Sequence, residues 1–183
     1  MNRLHSIFIL AVAFVAVFLE GACDLPRHWL GAQIDLLPAL MVYTALTNGI
    51  ATITLLAVCG GLWFDSLSLN PLGASVLPLL VIGVAIYSCR DLLLREHTFA
   101  QVVLGISAAA LQPLGTLFIL LNFGAAPLLG WISLWQWLVM ALAGGFLTPL
   151  CFVLFDRLYH AFDYPRETQS SFRPDREIKR GRM

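Results

Sequence analysis

The sequence predicts an all-α integral membrane protein with six transmembrane helices and both termini in the cytoplasm. Three observations predict it. Of 183 residues, 59% are hydrophobic and only 12% charged, with a mean hydropathy of +0.82; soluble domains run at roughly 45–50% and about 25%. The charge is confined, since long apolar stretches carry none of the 11 basic or 11 acidic side chains. Those stretches also meet or approach the length of bilayer-spanning helices, about 17–25 residues. Too few polar groups remain to cover a soluble globule, which excludes a soluble enzyme, a secreted disulfide scaffold and a disordered chain.

The expected spans are 4–21, 33–47, 49–65, 74–94, 99–121 and 134–155. The first competes with a signal peptide, but its apolar run exceeds the usual core of about 7–15 residues. Glu20 also stands three positions before Cys23, where a lipoprotein cleavage site wants an aliphatic residue, so the helix is read as retained. Read as one helix, 33–65 would extend about 50 Å, too long for a bilayer even when tilted. Asn48-Gly49 is a turn dipeptide, and the run is therefore divided there into a tight hairpin. Residues 1–160 form the predicted bundle. The segment 161–183 is polar, contains two prolines with few large apolar residues, and is expected to be a disordered cytoplasmic tail.

The positive-inside rule orients this arrangement. Six spans gather Arg3, Arg90, Arg95, Arg157, Arg166, Arg173, Arg176, Lys179, Arg180 and Arg182 on one side and leave Arg27 alone on the other. The first side is thus the cytoplasm. The same arrangement puts Trp29, Trp63, Trp131, Trp135 and Trp137 toward the outer face, and Tyr43, Tyr87, Tyr159 and Tyr164 toward the inner one, as an aromatic belt requires. Pro38, Pro78, Pro113 and Pro149 fall inside spans and are expected to kink them. Gly60-Gly61 and Gly144-Gly145 are smooth patches suited to close helix packing, expected to be used within the bundle.

Catalysis is not expected. His5, His28, His97 and His160 lie near the ends of spans, and the in-span hydroxyls (Thr44, Thr52, Thr54, Ser88, Ser107, Thr116, Thr148) have no neighbouring base. These hydroxyls are expected to bond back to helix carbonyls. Cys23, Cys59, Cys89 and Cys151 form no C-x-x-C pair, so neither a metal site nor a cofactor is expected. No charge falls at the middle of a span, which argues against a proton-driven pump or an ion channel. The interior is expected to be dry. Glu20 and Asp35, with Arg27 as a possible counter-charge, form a predicted outer acidic patch at the headgroup level.

The most distinctive segment is Gly-Leu-Trp-Phe-Asp-Ser-Leu-Ser-Leu-Asn-Pro-Leu-Gly, residues 61–73. Asp65 closes one helix, and Asn70-Pro71 with Gly73 makes a compact turn into the next. Asp65 or Ser66 can accept hydrogen bonds from N–H groups exposed in that turn. Asp65, Ser66, Asn70, Pro71 and Gly73 are therefore a rigid extracytoplasmic tip, suited to partner binding.

This segment resembles the central signature of the rod shape-determining MreD family, in which a Gly-rich helix runs into an Asp, a short turn and Leu-Gly. Residues 33–43, Gln-Ile-Asp-Leu-Leu-Pro-Ala-Leu-Met-Val-Tyr, are similar to that family's second helix, with Ile34 where the family has Pro. The resemblance covers residues 4–160 in length and hydropathy, and specific residues from 33 to 73. It implies a non-catalytic subunit of the bacterial inner-membrane elongasome, which serves peptidoglycan synthesis and cell shape. The implied partners are a bitopic MreC-type protein, a RodA-type glycosyltransferase with its penicillin-binding transpeptidase, and indirectly actin-like MreB; nucleic acid is not among them. It also implies a fold resembling the substrate-binding components of vitamin transporters. The rival expectation is therefore such a component, for a vitamin or metal, with Glu20, Asp35, Asp65 and Trp29 around an outward cavity. A scaffold instead predicts no closed polar pocket.

Overall fold

The structure, a computed structural model, describes residues 3–22, 31–68, 70–90, 98–124 and 130–162, with side chains from 6 to 158. Six helices make up the described residues, with no strand among them: α1 (Arg3–Ala22), α2 (Leu37–Thr47), α3 (Ile50–Leu67), α4 (Val76–Cys89), α5 (Thr98–Asn122) and α6 (Trp131–Phe162). Three of these, α3, α5 and α6, are long and apolar enough to cross a membrane. The described residues are thus helical with short connections, and three of the helices have the length and apolarity of membrane spans.

Helices α1, α3, α5 and α6 match the expected spans closely, α6 running past both ends of its span. Helix α2 does not. Its 11 residues reach only about 16 Å at 1.5 Å per residue, roughly half of a bilayer core. The chain does break at Asn48-Gly49, both in extended conformation. The missing part lies at the other end, where residues 33–35 form no helix. Pro38 occupies the first turn of α2, where a missing N–H costs nothing. Pro78 likewise falls in the first turn of α4. Only Pro113 and Pro149 lie inside helices, so two of the four expected kinks are helix starts instead.

The short helix is the centre of the bundle. Every residue from Leu37 to Leu46 is buried, and α2 touches each of the other five helices. Its sequence, LPALMVYTALT, has no charged residue and no polar face, so every side of it can be covered by apolar side chains. Ile9 and Ala13 of α1, Ile53 and Leu56 of α3, Leu79 of α4, Ala108 of α5 and Phe155 of α6 join it in one core. Tyr43 stacks on Phe155 at 4.3 Å and meets Phe152 edge-on at 5.0 Å. At 7% exposure Tyr43 belongs to that core and not to a surface belt.

Helices α5 and α6 make the broadest contact in the bundle. Gly105 faces Gly144 and Thr148, while Gly145 faces Ile106 and Val102, so that a Cβ on Gly105, Gly144 or Gly145 would collide with the opposite helix. Gly60 and Gly61 do the same service elsewhere, against the Leu37 side chain and the Val76 backbone. All four predicted packing glycines thus work within the bundle. The hydroxyls of Thr44, Thr54, Ser88, Ser107, Thr116 and Thr148 donate to the carbonyl four residues back, while Thr52 shares a hydrogen bond with Ser6 at 2.9 Å.

Candidate functional site

The predicted site residues meet at one end of the bundle, where α3 finishes, α2 and α4 begin, and the second half of α5 passes. At this end the two predicted groups, the turn and the acidic patch, are built differently from each other.

The turn is organised by Asp65. Its carboxylate is 1% exposed, and Oδ2 accepts hydrogen bonds from the N–H groups of Gly73 at 2.8 Å and Ser75 at 3.1 Å. These are donors that the start of α4 would otherwise leave unpaired. Gly73 stands at φ +93, a left-handed conformation that glycine adopts without a Cβ clash. The Pro71 carbonyl accepts from Ala74 at 3.1 Å. Ser66, the other predicted acceptor, instead turns its hydroxyl back to Trp63 O. Asn70 is half-buried, and Pro71 and Leu72 are exposed at the tip.

The acidic patch lies inward. Asp35 is 4% exposed; its Oδ1 accepts from Leu37 N at 2.9 Å and its Oδ2 from Gln112 Nε2 at 2.6 Å. Glu20 Oε1 accepts from the neighbouring Leu36 N at 2.5 Å. The two carboxylates therefore satisfy consecutive N–H groups where α2 starts. Their job explains why residues 33–35 stay out of the helix. The expectation of exposed headgroup-level carboxylates is corrected accordingly for Asp35, and Glu20 is largely covered. Arg27 lies outside the described residues. The arginines with described side chains, Arg90 and Arg157, sit at the opposite end, where Arg90 stacks over Tyr87 at 4.2 Å.

Between these groups lies a cavity of about 340 Å³. Its lining mixes polar side chains, among them Gln33, Asp35, Asn70, Ser75, Gln112 and Gln136, with apolar ones such as Phe64, Leu117, Leu120 and Met140. Polar side chains at this end thus line a cavity as well as the rim of the bundle. Gln112 was not singled out by sequence reasoning. The one signal was an uncharged amide within an apolar span, beside Pro113. Its NH2 group is spent on Asp35, and its Oε1 is buried without a partner, as is the Ser75 hydroxyl.

Trp131, Trp135 and Trp137 at the start of α6 share this end and are 86%, 52% and 36% exposed. Trp63 packs edge-on against Phe14 at 5.1 Å. Among the described residues no group of three or more His, Cys, Asp or Glu is placed to hold a metal ion. Comparison with family models, curated proteins and solved structures gives no match to this chain.

Proposed function

We propose that the chain is an MreD-like scaffold: a non-catalytic, multi-pass subunit of a bacterial inner membrane that serves cell elongation. In this reading six helices traverse the membrane with both termini in the cytoplasm, and α2 crosses only as the covered centre of the bundle. An MreC-type bitopic protein is the direct partner. A RodA-type glycosyltransferase and its transpeptidase are further members of the same complex, and MreB filaments connect to it indirectly.

One observation supports the reading above the others. The residues that carry the resemblance, Asp65 and Gly73, act on each other: the carboxylate accepts from the glycine N–H at 2.8 Å. A signature of Asp, short turn and Leu-Gly is therefore a physical unit, a stiff tip presenting Leu67 and Leu72 at 60% and 72% exposure. Such a tip is suited to docking another protein's extracytoplasmic segment.

The test is co-purification of the full chain with an MreC-type partner. Wild type should retain the partner and Asp65→Ala should lose most of it; undiminished capture by the Asp65→Ala protein excludes the tip as the docking site. In a rod-shaped host, loss of the gene should round the cells. The cavity favours a second reading, the substrate-binding component of a vitamin or metal transporter, which a stoichiometric co-purifying ligand would establish.

A further inference from the structure

The cavity contains more than the scaffold reading requires. Three of its lining residues carry buried oxygens short of partners: Asp35 Oδ2, with one described donor, and Gln112 Oε1 and Ser75 Oγ, which have none. Gln112 is 3% exposed and Ser75 0%. A buried polar group without a partner costs about 1–3 kcal/mol, so two of them on the wall of one cavity are an uncompensated demand. The demand has a sign. The carboxylate fixes the Gln112 amide with its NH2 toward Asp35, which turns the acceptor end away, and a hydroxyl can accept as readily as it donates. What is missing is a set of N–H or O–H donors.

The charge has a sign as well. Asp35 is buried, and no basic side chain is described at this end of the bundle. A carboxylate in such a place is stabilised by a cation brought to it. Phe64, Leu117, Leu120 and Met140 add apolar surface to the lining, and the volume falls at the lower end of small-molecule pockets, about 300–1,000 Å³. We propose that this cavity binds a primary ammonium carried on a compact apolar body, with the ammonium N–H groups directed to Asp35, Gln112 and Ser75. The shared chemistry is the primary ammonium, whether of a free amine or of an aminophospholipid headgroup. This goes beyond the scaffold reading and does not depend on it.

Thermal unfolding of the full chain in detergent, titrated with phenethylammonium, tests the site. The amine should raise the melting temperature saturably, while phenylethanol and phenylacetate, matched in body but not in head, should not. Gln112→Leu and Ser75→Ala should each weaken the amine, with the charge-linked Gln112 variant losing about tenfold or more. Ser75→Ala removes a hydroxyl that has no partner, so this variant folds even if loss of Gln112 does not permit folding. Competition by dimyristoyl phosphatidylethanolamine assigns the site to a lipid headgroup; failure to compete assigns it to a free amine, and both keep the site. Equal shifts by all three probes overturn the proposal, as does undiminished binding by both variants. So does binding that appears only in Arg27→Ala, since the chain's own guanidinium would then be the occupant.

Discussion

Asp65 and Gly73 form one structural unit across the loop that separates them. The carboxylate at the end of α3 accepts the N–H of a glycine held at φ +93, and then the N–H of Ser75, at 2.8 and 3.1 Å. One side chain thereby sets where a helix ends, how the chain reverses and where the next helix begins. Removing it leaves one buried donor and one half-buried donor without an acceptor. Asp65→Ala should lower stability by about 3 kcal/mol, since each hydrogen bond to a charged group is worth about 1.5–3. Asp65→Asn keeps an acceptor oxygen and should lose less. Thermal unfolding in detergent measures both.

Gly73→Ala should cost about 1–2 kcal/mol, the penalty of a left-handed backbone for a residue with a Cβ. Leu72→Ala beside it should be close to neutral, because Leu72 is 72% exposed. Equal melting temperatures for wild type and Gly73→Ala would show that the turn relaxes to another conformation.

Gly144→Val should separate α5 from α6, because even a Cβ at this position meets Ala109 and the Gly105 carbonyl. Overpacking of this kind costs about 1–3 kcal/mol, and more where backbone must move. Gly130→Ala is the matched control, with open space around it. Yield of folded protein by size-exclusion chromatography should fall for the first and not for the second.

Asp35 and Gln112 should be coupled. Gln112→Leu deprives a buried carboxylate of its 2.6 Å donor and should cost about 2–3 kcal/mol. In Asp35→Asn the same Gln112→Leu change should cost much less, and a double-mutant cycle reads the difference. Additive losses would mean that the two side chains do not share a hydrogen bond.

The turn was legible in the sequence because its chemistry is local. An Asp closing a helix, an Asn-Pro and a Gly within eight residues specify a capped reversal without reference to the rest of the chain. The glycine patches were legible for a similar reason: smoothness is a property of the residue itself. The length of α2 was not. Past Asp35 the run to Thr47 is apolar, and the sequence does not show that Glu20, 16 residues back, joins Asp35 in taking the Leu36 and Leu37 N–H groups away from a longer helix. Carboxylates near span ends look exposed when the neighbours that enclose them belong to other segments. Gln112 was hidden because its partner is 77 residues away. A single amide in an apolar helix carries no periodicity to mark it.

Helix α2, covered by all five others, has an implication for where the chain can be cut. At about 16 Å it is too short to be held by lipid alone, and its sides are already claimed by protein. It therefore depends on its companions for its place. Phe152 and Phe155 of α6 close over Tyr43, so a chain cut before α6 would leave this centre open on one side and should not hold its fold.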